Sequence, residues 1–422
     1  MSIRVGIMGL GTVGGGVVKI LHAQTEKFST LCGEPIEIVK VFSRRDNRLD
    51  ELNIDKSLYT SSLDEFCQTE LDIVVEVIGG DFPKDAMLSF LHKGTKVVTA
   101  NKYLLATKPQ EIFQEFTSQN LFYEASCLGG IPIISSLEEG LLSNTIQSVM
   151  GIFNGTCNYI LSEMTQKGVE FDVVLKEAQD LGYAEADPTF DVDGIDASHK
   201  LSLLSSLAFG YYVPFEKIKS EGIRNLKPND FSWAKQNGFS IKLISMAEKS
   251  ESGQVYLGTF PMLLPNEHPL SHVNGAFNAV FVDGDSAGNL MYYGSGAGEL
   301  PTASAVVSDI VAAAQQKLRQ RSQTVFSNFE SNFEIDQNKK FGFYTRLRTR
   351  DEAGVLAKLC NCFADADISL NFVHQLPSNS TYADIVFTTH PNNQCNLEKA
   401  IKNMQEENLL IDKPLIIRIL ES

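Results

Sequence analysis

The stretch Gly9-Leu10-Gly11-Thr12-Val13-Gly14 limits what this chain can fold into more than any other. It follows directly on Ile3–Met8, which reads as a buried strand, and it leads into a helical pattern through Val17, Val18, Ile20 and Leu21. A GxGxxG alone is a weak signal. Between a strand and a helix it has the context a dinucleotide-binding turn requires: glycines allow the backbone close to a pyrophosphate, and the helix N-terminus faces the negative charge. All six residues, Gly9 through Gly14, are therefore candidate cofactor contacts. The competing reading is a glycine-rich turn in some other α/β protein.

Further strands recur at the spacing of βαβ units, which predicts an α/β chain opening with a Rossmann-type domain. A strand Ile36–Phe42 ends in Ser43-Arg44-Arg45, where an NAD-selective site usually carries an acid for the ribose hydroxyls. Arginine there suits a 2′-phosphate, so Arg44 and Arg45 favour NADP, with NAD possible; the competing reading is two solvated loop charges. Strands over 73–77, 96–99 and 121–124 run into Ile78-Gly79-Gly80, Ala100-Asn101-Lys102 and Ala125-Ser126-Cys127. In an open parallel sheet, ligands bind at the carboxyl ends of the strands. That placement makes Ile78 a candidate cofactor contact and lets Lys102 reach a nicotinamide or its substrate.

From about residue 130 the pattern changes to a mixed α+β region, with strands expected over 146–153, 241–247, 255–260 and 279–282. Within it, Gly182–Lys200 crowds five carboxylates and a terminal lysine between two helical patterns. Asp196 and Lys200 lie four apart at the start of a helix whose Leu201, Leu204, Leu207 and Ala208 share a face, so both side chains share a face too. A solvated salt bridge is the bland reading. A calcium loop is the second, and it fails because the register that puts Gly194 sixth puts Lys200 where a bidentate Glu is needed. A positioned lysine can donate a proton to a developing alkoxide and stabilise its charge. Near Tyr292, a glycine-rich turn precedes a long helix of small apolar residues; a polar linker of roughly 321–340 follows. Residues 341–420 read as βαββαβ with a turn at Pro377-Ser378-Asn379, a ferredoxin-like module.

Formal net charge is −16 and the pI about 4.9, which argues against nucleic acid or an anionic membrane as partner. Seven scattered cysteines without a CxxC indicate neither a zinc site nor a disulfide framework. With no signal-like or membrane-length apolar run, a soluble protein of the cytoplasm is expected.

The ordered motifs GLGTVGGGVV, VVEVIGG, VVTANKYLLA, YEASCLGGIPII, GIFNGTCNYIL, LGYAEADPTFDVDGIDASHKL and YGSGAGELPTASAVVSDI resemble homoserine dehydrogenase across about residues 3 to 320, and the tail is similar to an ACT domain. The resemblance implies a monofunctional enzyme, without a fused aspartokinase, that interconverts L-aspartate 4-semialdehyde and L-homoserine with NAD(P)H. It implies an NAD(P)-binding Rossmann domain over 1–132 completed by a helix over 301–320, a substrate-binding, catalytic and dimerisation domain over 133–300, the linker 321–340, and a regulatory ACT domain over 341–422. Lys200 would donate the proton, with Lys102 close to nicotinamide and substrate. Gly182, Glu185 and Asp196 would hold the amino acid, with Asp191 as a supporting carboxylate, and Gly298 would close over the cofactor. A monovalent cation, usually sodium, would sit on Glu124 and on the backbone carbonyls of Cys127, Gly129 and Ile131. A homo-oligomer, dimer or tetramer, and threonine as an effector at the ACT-like tail complete what is implied.

The chain departs from the family pattern at Cys127, where valine is common, at Glu299, where a second glycine is common, and at Asp351-Glu352-Ala353-Gly354, where the ACT turn usually carries proline. Two other functions stand beside the first. An aspartate-semialdehyde dehydrogenase would need a nucleophilic cysteine, for which Cys127 is the candidate near a strand's carboxyl end. A non-catalytic cofactor- and amino-acid-sensing protein would have no need of both Lys102 and Lys200.

Overall fold

The structure, a computed structural model, describes residues 2–117, 119–330, 333–376 and 381–421. Its contacts divide into two units: Met1–Gly155 with Asp196–Ile218 and Ala276–Asn332, and Thr156–Ile195 with Lys219–Gly275 and Phe333–Ser422.

The first unit is built on six parallel strands: β1 (Ile3–Met8), β2 (Ile36–Phe42), β3 (Tyr59–Thr60), β4 (Ile73–Glu76), β5 (Lys96–Thr99) and β6 (Leu121–Phe122). Their order is β3-β2-β1-β4-β5-β6, so the chain reverses direction across the sheet beside β1, which is where a doubly wound fold opens a crevice for ligands. The central strands are rich in Val and Ile because helices cover both faces, and Val5, Ile7, Val41, Val75 and Val98 are fully buried. Helix Thr12–Ala23 packs its Val17, Val18 and Leu21 into one core with Val306, Ile310 and Ala313 of helix Glu299–Ala314, from far along the chain. Small residues allow the approach: a Cβ on Gly16 would come within 2.8 Å of that of Ala303.

Three antiparallel strands, Ile146–Ile152, Phe277–Gly284 and Gly288–Ser295, also belong to this unit. The last was not legible as a strand in the sequence, where its residues only approach a glycine-rich turn. Helix Ile195–Phe209 is buried from Asp196 onward on every side, not on one face. Its serines permit this, because Ser205 and Ser206 bond back to the carbonyls of Leu201 and Ser202, and Ser202 reaches Val213 O. A short helix, Gln320–Val325, supplies Arg321, whose guanidinium donates to Leu207 O (2.5 Å) and Ala208 O (2.7 Å). Those are last-turn carbonyls of Ile195–Phe209, which would otherwise lack donors.

In the second unit, strands Phe239–Lys249 and Val255–Pro265 form a long antiparallel pair. The tail runs as strand Lys340–Arg350, helix Val355–Asp365, strands Leu370–Gln375 and Tyr382–Thr389, helix Gln394–Glu406 and strand Leu415–Ile419. The expected βαββαβ is present, with its four main strands ordered fourth, first, third, second, as in a ferredoxin-like sheet. The turn expected at Pro377-Ser378-Asn379 lies outside the described residues. The tail's last strand pairs in parallel with Val255–Pro265 through Met262 with Arg418 and Leu263 with Ile419. Arg418, buried over the Phe260 ring, makes a two-point ion pair with Glu221, and Arg346 and Tyr344 both engage the buried Asp230. Among the described residues no helix is long and apolar enough to cross a membrane.

Candidate active site

The glycine turn leaves β1 with Gly9 at φ +107°, a conformation L side chains rarely adopt. Gly14 is excluded from carrying a side chain by a different cause: its Cβ would lie 1.9 Å from Gly9 O. Gly11 caps helix Thr12–Ala23 without a side-chain acceptor, so the first-turn amides of Thr12 and Val13 remain open to an anion. Leu10 is buried beneath. The turn has a brace the sequence reading missed, Arg48, which donates to Gly11 O (2.6 Å) and Leu10 O (3.2 Å) and is itself held by Glu51. Its only sequence signal was a third arginine in SRRDNR. Glu299, a departure from the family pattern, pairs with Lys19 at 2.8 Å and reaches Arg48 at 3.6 Å, and so ties the start of helix Glu299–Ala314 to this turn. Gly298 caps that helix at φ +119°. Arg44 and Arg45 lie exposed beyond β2, and the Arg44 guanidinium stands 5.7 Å from the Phe82 ring centre.

A second missed residue is Glu76, the last of β4. It is fully buried, and its Oε1 accepts from the backbone amides of Ile78 (2.8 Å) and Gly79 (3.0 Å) while Thr99 donates to Oε2. Burial pushes its carboxyl above the ordinary range, opposed by those hydrogen bonds. The carboxylate thus shapes the Ile78–Gly80 turn at the sheet's carboxyl edge. Asn101 joins the two loops by donating to Gly80 O and capping helix Lys102–Thr107 through Leu104 N.

The chemistry concentrates at Asp196. Its Oδ1 lies 2.9 Å from Lys102 Nζ and its Oδ2 2.7 Å from Lys200 Nζ, with the Asn154 side-chain amide donating to Oδ2 at 2.9 Å. Lys200 also donates to Phe153 O at 2.8 Å. Sequence reasoning brought Lys102, Asp196 and Lys200 to one place through the family resemblance; the strand end at Phe153-Asn154 that orients them it left unassigned. Burial alone would raise the Asp196 carboxyl, but the two ammonium groups outweigh it and hold the group well below the usual carboxylate range. One carboxylate between two lysines leaves the cluster with one positive charge in excess. His199, next to Lys200, is pushed down to about 4 by burial, and by the two lysines against Asp196. It is therefore neutral near pH 7 and does not compete as a donor.

Cys127 is fully buried, and burial pushes its thiol up to about 12. A thiol held protonated cannot serve as the nucleophile of an acyl-enzyme pathway. Accordingly, iodoacetamide at pH 8 is expected to label the exposed Cys395 while leaving Cys127 unmodified and turnover unchanged. Inactivation that tracks Cys127 labelling in peptide mass mapping would count against this.

Glu124 lies buried beyond β6, where its Oε1 accepts from Ile134 N (2.8 Å) and its Oε2 from Ser135 N (2.7 Å) and the Ser135 hydroxyl. Burial raises its carboxyl, opposed by these bonds. The loop beyond it turns through Leu128 (φ +56°) and Gly129 (φ +54°), where the backbone runs against Gly296. Among the described residues, no group of three or more His, Cys, Asp or Glu could hold a metal ion. Both Glu124 oxygens are engaged by N–H and O–H donors of Ile134 and Ser135.

In the second unit, Gly182 follows helix Phe171–Asp180 at φ +77°, its amide bonded to Gln179 O. Glu185 is exposed, with its carbonyl bonded by Gln179, and the Asp191 carbonyl accepts from Cys157 Sγ.

Residues 9–123 match the NAD-binding domain of homoserine dehydrogenase, and residues 132–311 match the homoserine dehydrogenase domain itself. The homoserine dehydrogenase of Bacillus subtilis is 38% identical, with 96% of this chain and 95% of that protein covered. The crystal structure of a homoserine dehydrogenase from Thiobacillus denitrificans superposes with a TM-score of 0.90 at 38% identity, over 100% of this chain and 99% of that one. A hyperthermophilic archaeal homoserine dehydrogenase in complex with NADPH gives a TM-score of 0.63 at 27% identity, over 74% of this chain and 98% of its own. The chain belongs to the homoserine dehydrogenase family.

Proposed function

We propose that this enzyme interconverts L-aspartate 4-semialdehyde and L-homoserine with Lys200 as the proton donor to the substrate oxygen. The observation that carries the assignment is the single carboxylate of Asp196 held between Lys102 and Lys200. Bound NAD(P)H supplies the hydride. In reduction, Lys200 donates to the developing alkoxide, and Lys102 stabilises its negative charge. In oxidation, Lys200 takes the hydroxyl proton back. Gly182, Glu185 and Asp191 hold the amino-acid end of the substrate, to which Asp196 adds its negative charge while its oxygens orient the lysines. Glu76 and Asn101 fix the Ile78 turn against the cofactor, the amides after Gly11 meet its pyrophosphate, and Gly298 closes over it.

To the Glu124 carboxylate and the carbonyls of Cys127, Gly129 and Ile131 we assign a monovalent cation, sodium, a hard ion of the kind that oxygen ligands take. A cation there would stabilise the ionised Glu124 and fix the 124–131 loop. Seven free thiols are compatible with a reducing cytoplasm. We assign a homo-oligomeric state, and to the ACT-like tail an amino-acid effector, threonine.

Arg44 and Arg45 support a preference for NADP, Arg44 having a ring to stack on. Homoserine oxidation by the Arg44→Ala/Arg45→Ala double variant is expected to show a KM for NADP raised about tenfold or more, the scale of one lost charge-assisted hydrogen bond, with the KM for NAD little changed. Equal effects on both cofactors would assign the arginines a general electrostatic role. Absence of homoserine oxidation by the unaltered enzyme with either cofactor would overturn the functional reading itself.

A further inference from the structure

The second unit contains a cleft of about 300 Å³ that the reaction leaves unused. Glu170 and Asp172, at the start of helix Phe171–Asp180, line it together with Arg224 and Lys227 and with Arg346 and Lys413 of the tail. Arg346 is committed to Asp230 and to Asn225 O. Arg224 holds Asp193 (2.6 and 3.3 Å) and the Thr189 hydroxyl (3.0 Å), with both members of the ion pair more than a third exposed. The ammonium groups of Lys227 and Lys413 and the carboxylates of Glu170 and Asp172 form no ion pair among the described residues. Asp412, 3.8 Å from Arg348, lines the cleft as well, and Asp172 acts on Arg224 and Lys227 on Asp384 without a close ion pair. Carboxylates and ammonium groups without close partners around one small cavity complement a molecule that carries both charges.

The cleft also lies on a connection. Segment 219–230 is gripped by the tail, through Arg418 on Glu221 and Arg346 on Asp230. The same segment holds the acidic loop: Ser220 donates to Asp193 O at 2.6 Å, Ile223 N to Val192 O at 2.9 Å, and Arg224 to Asp193. That loop directly precedes, in sequence, the helix bearing Asp196 and Lys200. Packing leaves it little freedom, since a Cβ on Gly222 would approach Val192 O to 2.5 Å.

We propose that this cleft binds a free α-amino acid, its ammonium group met by Glu170 and Asp172 and its carboxylate by Lys227, Lys413 and Arg224. A carboxylate on Arg224 competes with Asp193, so occupancy changes the hold on the 189–194 loop. The site deepens the regulatory reading of the tail and is separate from the Asp351–Gly354 turn.

The test is calorimetric titration of the full-length protein with each of the twenty L-amino acids, with acetate and ethylamine as probes carrying one charge each. At least one amino acid should bind saturably where neither half-probe does, and change turnover with homoserine. Lys413→Gln and Asp172→Asn, both at exposed positions, should each weaken that binding about tenfold while leaving basal turnover intact. Absence of binding by every amino acid, or binding that neither substitution weakens, overturns the site. Binding weakened by both substitutions in a protein that does not oxidise homoserine would uphold the cleft and refute the proposed reaction instead.

Discussion

Lys200→Ala is expected to lower kcat for reduction and oxidation by about 10²–10⁴-fold, the range for a positioned acid–base group, while the Kd for NADP stays within about twofold. The fold should survive. Asp196 keeps Lys102 and Asn154 as partners in the variant, so no carboxylate is left buried alone. The loss belongs in kcat because the interaction strengthens only as the substrate oxygen gains charge; a purely structural role would instead weaken cofactor binding and lower the melting temperature together. Stopped-flow single-turnover reduction checks this, and a near-normal rate for Lys200→Ala would remove the lysine from the mechanism. Lys102→Ala should cost less, since Lys102 stabilises charge without having to deliver a proton.

The parallel sheet was legible in the sequence because its signals are local: an apolar run, a glycine turn and a helix within a score of residues. β3 was not, because two residues carry no period, and Leu121–Phe122 proved shorter than its apolar run because Glu124 turns away into its own buried hydrogen bonds. The site residues divide on the same physical line. Lys102 stands at a strand's carboxyl edge and Lys200 four residues from Asp196, relations that spacing conveys. Glu76 looked like the end of a strand, and its function depends on the backbone amides of a turn two residues on and on Thr99 from the next strand. Asn154 and Arg48 act on atoms 42 and 37 residues away, distances at which no sequence period operates. The polar run beginning at residue 321 read as a linker because Arg321 and Ser322 are polar. Their polarity is satisfied internally instead, by helix-end carbonyls and by Glu138.

Asp196→Asn should be the more damaging substitution, although it changes one atom type and little volume. Asparagine can still accept from one lysine, but it brings no charge, so the Lys102 and Lys200 ammonium groups would face each other across a site where Asp196 is 3% exposed. Removing one partner of a buried ion pair typically costs about 3–5 kcal/mol, because the charge left behind has lost both water and counter-ion. The half-exposed Lys102 can turn towards solvent and relieve part of this; Lys200, with little exposed surface, cannot. The pH dependence supplies a sign to check. The Asp196 carboxyl is depressed in the folded protein, so its contribution to stability is fully present above the unfolded aspartate value of about 3.9 and is lost as pH falls towards the folded one. The stability gap between wild type and Asp196→Asn, read from urea unfolding, should therefore be constant from pH 7 down to about 5 and then narrow in acid. Turnover should fall by at least the factor lost in Lys200→Ala, because Lys200 loses the carboxylate that orients it and Lys102 is repelled from its place. A variant with wild-type stability at pH 7, or one whose stability gap widens in acid, would mean that Asp196 does not carry the charge assigned to it between the two lysines.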